Sequence, residues 1–265
     1  MRPFPRRGGA PFGCAQGQQV PALQRNHLRH IVDRRPQPTL TELPELRDRV
    51  HVFRDRADAG HVLAEMLAAY RGSAAIVMAI PAGGVAVGAA LARDLGLPLD
   101  VAVVSKATLP WNTEAGYGAV AFDGTVLLND DLLAQLNLTE AEVQQGIAAA
   151  RAKVSRRLRR LRGDRPLPSF AGRTVILVDD GIASGFTLRA AIQAVRQAGA
   201  EPLVLAVPTA HRQSLQAVIG LVEAVYCPNV RGGWGFAVAD AYQRWSDVDE
   251  AEVAAILAEF AAASA

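Results

Sequence analysis

The stretch from Val175 to Thr187, VILVDDGIASGFT, combines residue types that could bind a phosphorylated sugar. Four apolar residues precede Asp179 and Asp180, and a turn rich in glycine and hydroxyl residues follows them. Carboxylates accept hydrogen bonds from a sugar diol, whereas backbone N–H groups at the start of a helix bind phosphate. A buried strand that ends in two aspartates and opens a helix through such a turn therefore predicts a sugar-phosphate site.

This pattern resembles the 5-phosphoribosyl 1-pyrophosphate (PRPP) signature of the type I phosphoribosyltransferase family, and the resemblance extends from about Val52 to Leu257. It implies that the two aspartates hold the ribose 2′- and 3′-hydroxyls, near a Mg²⁺ ion that is held mainly by PRPP. It also implies that the N–H groups of residues 182–187 surround the 5′-phosphate. The residues assigned to PRPP are Asp179, Asp180, Gly181, Ile182, Ala183, Ser184, Gly185, Phe186 and Thr187.

A second segment, Pro81, Ala82, Gly83 and Gly84, follows an apolar strand and precedes a helix. At this spacing from the signature it resembles the family's pyrophosphate-binding loop, whose exposed amides would bind the pyrophosphate oxygens. The family commonly has arginine at the position of Ala82, so this chain lacks a cation there.

Lys106 ends a predicted strand and precedes a segment, residues 107–117, that resembles the mobile loop of the family. A lysine at this point could neutralise the charge that grows on departing pyrophosphate. The catalytic candidates are therefore Lys106, Asp179 and Asp180.

The resemblance implies a transferase of nucleotide salvage that moves the phosphoribosyl group from PRPP to a nitrogenous acceptor and releases pyrophosphate. The missing cation at Ala82 supports an alternative, a PRPP-binding regulatory protein with weak or no activity. An α/β-hydrolase is excluded, because a nucleophile elbow needs glycine two residues before and two residues after its serine, and Ser184 has neither. The acceptor is left open, since Trp234, Phe236 and Tyr242 could stack on a planar base or bury a cap.

The segment Phe53 to Gly60 also resembles the opening segment of a bacterial subgroup of the family. Arg54 and Arg56 in this segment could approach ligand phosphates. We favour a structural role, in which they belong to a capping and salt-bridge cluster at the first helix.

The elements around these residues alternate between short apolar strands and helices. Strands are predicted near residues 74–80, 99–104, 174–178, 203–207 and 224–226, with a hairpin at residues 119–128. Helices are predicted at residues 58–70, 85–95, 140–162, 186–198, 213–219 and 250–262. The order predicts an α/β fold with a doubly wound, mainly parallel sheet, a small cap and a ligand site at the carboxyl ends of the strands.

Residues 1–48 hold seven of the 15 prolines and no sustained apolar period. We predict a disordered tail there, which a start codon assigned too far upstream would also explain, and one domain over residues 49–265. The tail has eight arginines and four acidic residues, which leaves 20 basic and 22 acidic residues in the domain. This balance argues against a nucleic-acid surface, and the arginines at 156–162 are interpreted as a solvated helix face.

Cys14 and Cys227 are too few for a disulfide framework or a zinc cluster, which favours a reducing cytoplasm. The uncharged run of residues 72–92 is interrupted by the turn at 81–84, so no membrane helix is predicted. The expected partners are small molecules. A homodimer is compatible with the sequence but is not indicated by it.

Overall fold

The computed structural model describes residues 37–263, apart from the side chains of residues 113–115 and 263. Its strands are β1 (Thr39–Thr41), β2 (Ile76–Ala79), β3 (Leu99–Val101), β4 (Val104–Leu109), β5 (Asn112–Ala121), β6 (Val126–Leu128), β7 (Val175–Val178), β8 (Leu203–Ala206), β9 (Thr209–His211), β10 (Ala224–Tyr226) and β11 (Asn229–Arg231). Its helices are α1 (Arg56–Met66), α2 (Gly83–Leu95), α3 (Asp130–Gln135), α4 (Glu140–Arg162), α5 (Phe186–Gln197), α6 (Arg212–Ile219) and α7 (Glu250–Ala263).

Six strands form a central sheet in the order β1-β10-β8-β7-β2-β3, and all neighbouring pairs are parallel. The adjacent strands β8, β7 and β2 of this sheet read LVLA, VILV and IVMA, and each of their residues is buried. Continuous apolar runs of this kind are typical of parallel strands that are covered on both faces. The doubly wound, mainly parallel sheet predicted from the sequence is therefore confirmed.

Side chains alternate between the two faces of the sheet and pack into two separate cores. Ile176 and Val178 of β7 belong to the core that also contains side chains of α1, α2, α4 and α7. Val175 and Leu177 belong to the core on the opposite face, which contains side chains of α5 and α6. This packing holds β7 at the centre of the sheet and fixes the direction in which the chain leaves its carboxyl end.

Two small sheets flank the central one. Strands β4, β5 and β6 form an antiparallel sheet, and β9 pairs with β11 in parallel. A third, smaller apolar cluster joins Phe53 and Ala59 to Ala241 and Tyr242 near the C-terminal end of the chain. This cluster fixes a cap, residues 227–246, against the start of α1.

The predicted boundary at residue 48 is wrong for the part of the tail that the structure describes. Strand β1 pairs with β10, the Asp48 N–H donates to the Val230 carbonyl (3.1 Å), and the Asn229 side-chain amide donates to the Leu46 carbonyl (2.5 Å). All three side chains of β1 are exposed, so the strand has no apolar pattern to reveal it. The prediction for residues 1–36 lies outside the described residues.

The helices between residues 37 and 263 include none with the length and apolar character needed to cross a bilayer.

Candidate functional site

The candidate site lies where β2 and β7 end side by side. Because Ala79 pairs with Val178, the turn that follows β2 meets the two aspartates that follow β7. Asp179 and Asp180 are both partly exposed as residues, and the Asp180 side chain is 18% exposed. The structure thus brings together two segments that lie almost 100 residues apart in the chain.

The turn of residues 81–84 contacts the aspartates so closely that a side chain at Gly83 or Gly84 would have to displace neighbouring atoms. A Cβ atom on Gly83 would overlap the Asp180 carboxyl group and lie 2.6 Å from its Cγ. A Cβ atom on Gly84 would lie 2.9 Å from the Cα of Asp179. The peptide bond between Pro81 and Ala82 is cis. Both glycines are therefore required by the close approach of the two segments.

The loop between β7 and α5 presents backbone N–H groups at the start of a helix. Gly185 immediately precedes α5 with φ of 72°, a left-handed conformation that favours glycine. The N–H groups of Ala183, Ser184 and Gly185 have no hydrogen-bond partner within residues 37–263. These groups and the positive end of the helix dipole make the loop suitable for an anion.

Two of the predicted phosphate donors are already engaged, and the Phe186 N–H is one of them, since it donates to Ser184 Oγ (3.4 Å). The Ile182 N–H donates to the Thr209 carbonyl (2.9 Å), and the Ile182 carbonyl accepts from the His211 N–H (2.9 Å). The Ile182 amide therefore anchors the loop to β9 instead of pointing toward a ligand, which corrects the sequence interpretation at this position. A sequence pattern identifies the loop but does not show which of its amides are paired with a distant strand.

A cavity of about 120 Å³ contains most of the predicted site. Lys106, Asp179, Ser184 and Thr187 line it, together with Gly181, Ile182, Ala183, Gly185, Leu188 and Val238. Asp180 and the turn of residues 81–84 lie beside this cavity instead of lining it. A larger cavity of about 280 Å³, between β1 and α6, contains none of the predicted site residues.

Lys106 lies within β4 instead of at a strand end. The segment of residues 107–117, which was predicted to be a loop, forms most of a β-hairpin in which β4 and β5 pair as far as Leu109 and Asn112. The Lys106 side chain is exposed on this hairpin, and it lines the same cavity as Asp179. Lys106 thus lies at the site, but the segment after it forms a hairpin, whose register shifts on either side of Thr108.

Arg56, to which the sequence analysis gave a structural role at the first helix, lies in the site. Its Nε donates to Asp180 Oδ2 at 2.9 Å, and its side chain is only 10% exposed. Arg54, by contrast, is exposed and pairs with Asp55 and Asp58, as the cluster interpretation predicted. Its partner Asp180 lies 124 residues away in the chain. The sequence pointed to a role for Arg56 in the site only through the resemblance of the segment Phe53 to Gly60 to the opening segment of the family's bacterial subgroup.

The aromatic residues of the cap have different roles. Tyr242 is buried, and its hydroxyl donates to the Asp180 carbonyl at 2.6 Å, so it supports the loop. Phe236 contacts the His211 ring at a centroid distance of 5.5 Å. Trp234 is fully exposed between two glycines with positive φ, Gly233 and Gly235. Only Trp234 among these three is displayed to solvent in the way that a contact with a further molecule requires.

Burial disfavours ionisation of both aspartates. Burial raises the pKa of Asp179 well above its usual range, and the adjacent Asp180 raises it further. Burial also raises the pKa of Asp180, whereas the Arg56 guanidinium opposes this rise. Paired carboxylates with raised pKa values are typical of functional sites.

Known proteins are similar to this chain over most of its length. Residues 55–241 match the family model described as phosphoribosyl transferase domain. A Mycobacterium tuberculosis protein, provisionally named a phosphoribosyl transferase, is 37% identical to this chain over 206 residues in both strain H37Rv and strain CDC 1551. The matched residues are 78% of this chain and 46% of that protein. The chain thus spans about half the length of these curated relatives. The crystal structure of TT1426 from Thermus thermophilus is similar with a TM-score of 0.65 and 36% identity, over 78% of this chain and 98% of that one.

Proposed function

This chain belongs to the family of proteins with a phosphoribosyl transferase domain, and from that premise we propose that it transfers the 5-phosphoribosyl group of PRPP to a nitrogenous acceptor. Family membership indicates a transferase, while the donor, the acceptor and the residue roles are our proposal. One observation carries it. Asp179 lines the same cavity as the loop before α5, which carries the unpaired amides and the hydroxyl residues Ser184 and Thr187.

In this arrangement the loop binds the 5′-phosphate and the aspartates accept hydrogen bonds from the ribose hydroxyls. The N–H groups of Ala183, Ser184 and Gly185 and the hydroxyls of Ser184 and Thr187 supply the phosphate donors. Asp179 faces the cavity directly, whereas Asp180 contacts Arg56 and Gly83 at its edge. The diol would therefore lie between the loop and the turn of residues 81–84.

The pyrophosphate would extend from the cavity toward the turn of residues 81–84. Pockets for small molecules usually have volumes of about 300–1,000 Å³, so a cavity of about 120 Å³ holds only part of the donor. The turn meets the carboxyl groups directly, and its amides would bind the remaining phosphate oxygens. Lys106 would neutralise the charge that develops on pyrophosphate as the bond from C1 breaks.

A magnesium ion fits this site only as an ion that the donor largely holds itself. No group of three or more histidine, cysteine or acidic side chains is arranged for a metal among residues 37–263. Mg²⁺ commonly binds through one or two carboxylates together with substrate phosphates and water. Asp179, and Asp180 beside it, would supply the protein ligands, and the ion would supply charge neutralisation for the pyrophosphate.

The proposed reaction breaks the bond between C1 of the ribose and the pyrophosphate oxygen and forms a bond between C1 and a nitrogen of the acceptor. Pyrophosphate leaves with the electron pair of the broken bond, and positive charge builds on the sugar ring. The protein would act by orienting the two molecules and stabilising the leaving group, without a covalent nucleophile. Trp234 is available for stacking on a planar acceptor.

Calorimetric titration of PRPP with Mg²⁺ tests the donor site without a known acceptor. We expect the double substitution Asp179→Asn and Asp180→Asn to remove measurable binding while the thermal unfolding transition is retained. The matched control is Asp130→Asn with Asp131→Asn, an exposed pair at the start of α3, which should leave the affinity unchanged. Unchanged affinity in the first variant would refute the proposal.

Turnover separates the enzyme from the regulatory alternative. Pyrophosphate release would be measured with a panel of purines, pyrimidines and related nitrogenous acceptors. Release that depends on both PRPP and one class of acceptor supports the transferase. Tight binding of PRPP without release across the panel supports a PRPP-binding regulatory protein.

A further inference from the structure

Two successive carbonyl groups of the loop before α5 are bonded to β9 and α6. The Ile182 carbonyl accepts from the His211 N–H at 2.9 Å, and the Ala183 carbonyl accepts from the Ser214 hydroxyl. His211 is the last residue of β9, and Ser214 lies in the first turn of α6. The loop is therefore held by a backbone donor at one peptide and by a side chain at the next.

These two bonds determine where the adjacent N–H groups point. A peptide unit is planar and trans, so its C=O and N–H groups point in opposite directions. The Ala183 N–H shares a peptide unit with the Ile182 carbonyl, and the Ser184 N–H shares one with the Ala183 carbonyl. Because the carbonyls face β9 and α6, the two N–H groups face the opposite way. Neither N–H has a partner within the described part of the chain, and both residues line the cavity of about 120 Å³.

Helix α6 is a firm support for the bond from Ser214. Its residues Leu215 and Val218 are buried in the core on one face of the central sheet. The loop also packs on this helix, since a Cβ atom on Gly185 would lie 3.5 Å from Val218 Cγ1 and 3.6 Å from the Ser214 carbonyl oxygen. The Ser214 hydroxyl thus joins the loop to an element whose position is set by the core.

We propose that Ser214 is a positioning residue of the donor site. Its hydroxyl holds the peptide between Ala183 and Ser184 so that the Ser184 N–H is directed at the 5′-phosphate of the donor. This inference rests on the proposed function. Without the hydroxyl the peptide is free to turn, and ordering it when the phosphate binds lowers the affinity.

The test compares Ser214→Ala and Ser214→Thr with the wild-type chain by calorimetry, with ribose 5-phosphate and pyrophosphate with Mg²⁺ as separate ligands. Ribose 5-phosphate would occupy the loop and the aspartates, whereas pyrophosphate would occupy the turn of residues 81–84. Ser214→Thr retains a hydroxyl at the same position. The matched control is Ser169→Ala, which removes an exposed hydroxyl that also bonds the backbone, in the segment between α4 and β7.

In Ser214→Ala we expect the affinity for ribose 5-phosphate to fall about three- to tenfold, the factor that corresponds to one hydrogen bond of ordinary strength. The affinity for pyrophosphate should be unchanged, because the turn of residues 81–84 follows a different strand, β2. Ser214→Thr and Ser169→Ala should match the wild-type chain with both ligands. A general structural defect would instead weaken the binding of both ligands.

The ¹⁵N order parameter of the Ser184 amide, measured by NMR without ligand, tests the bond from Ser214 directly. We expect it to fall in Ser214→Ala and to keep the wild-type value in Ser214→Thr. An unchanged order parameter in Ser214→Ala would overturn the inference, as would equal losses of affinity for the two ligands or no loss for either.

The remaining outcomes are also decisive. If Ser214→Ala does not unfold cooperatively, Ser214→Thr decides, because a lower order parameter in that variant contradicts the role of the hydroxyl. A wild-type chain that binds neither ligand would refute the proposed function, while the order parameter would still test the inference about Ser214.

Discussion

Replacing Gly83 with alanine would test whether the turn of residues 81–84 and the two aspartates form one site. The alanine Cβ would lie 2.6 Å from Asp180 Cγ and 2.9 Å from Arg56 Nε. Carbon atoms in contact are separated by roughly 3.5–4.0 Å. Asp180 Oδ2 would lie closer still, at 1.8 Å from the same Cβ atom, whereas Cβ atoms essentially never lie within 3.0 Å of another group, so the carboxyl group would have to move by more than about 1.2 Å.

A displacement of this size disrupts the hydrogen bond between Arg56 Nε and Asp180 Oδ2, whose length is 2.9 Å. Overpacking of this kind costs about 1–3 kcal/mol of stability. For a domain of this size, 1 kcal/mol corresponds to roughly 2–4 °C in Tm, so we expect Tm to fall by about 2–12 °C. A hydrogen bond to a charged group contributes about 1.5–3 kcal/mol, so losing one to the ribose should weaken PRPP binding roughly 10–100-fold.

Gly220→Ala is the matched control, because Gly220 ends α6 with φ of −69° and a Cβ atom there would meet nothing within 4 Å. Calorimetry with PRPP and Mg²⁺ and thermal unfolding without ligand would be carried out on both variants. The control should match the wild-type chain in both measurements. Wild-type affinity and Tm in Gly83→Ala would show that the turn and Asp180 do not constrain each other.

Two further changes test the electrostatics and the boundary of the fold. The pKa of Asp179 is raised in the folded chain, chiefly by burial, so stability that is present below its unfolded pKa is lost as the pH rises through its folded pKa. Asp179→Asn should therefore raise Tm at pH 7 by about 2–4 °C and leave Tm unchanged near pH 3. Thermal unfolding measured at both pH values checks this, and a Tm that does not rise at pH 7, or that rises equally at pH 3, would contradict the prediction. A chain that begins at residue 49 should be less stable to urea than one that begins at residue 37 by about 1–3 kcal/mol, because the buried Asn229 amide loses its hydrogen bond to the Leu46 carbonyl. Equal stability of the two chains would show that residues 37–48 do not contribute to the fold.

Local patterns predicted those parts of the fold that local interactions determine. Helix α4 has the predicted bounds because Thr139 and Glu142 form a capping box at its start, where each bonds the backbone of the other. The hairpin predicted around Asp123 and Gly124 is present, with Gly124 at φ of 91°. The signature strand is buried at the centre of the sheet, as its unbroken apolar run indicated.

The parts that the sequence did not reveal depend on partners far away in the chain. Strand β1 has only exposed side chains and is held by backbone bonds to β10. Assembly of the sheet also pairs the Ile182 N–H with the Thr209 carbonyl and places Arg56 beside Asp180. No pattern within a short window of sequence specifies contacts of this kind.

The placement of Arg56 also bears on whether Ala82 argues against catalytic activity. The turn of residues 81–84 has no cationic side chain of its own, and by itself this departure favours a protein that binds PRPP without turning it over. In the folded chain, however, the Arg56 guanidinium reaches the turn at Gly83 from the start of α1, and Trp245 holds it there. Positive charge is therefore present at the turn although the turn does not encode it. This guanidinium is already paired with the Asp180 carboxylate, so pyrophosphate release is the measurement that separates a transferase from a PRPP-binding regulatory protein.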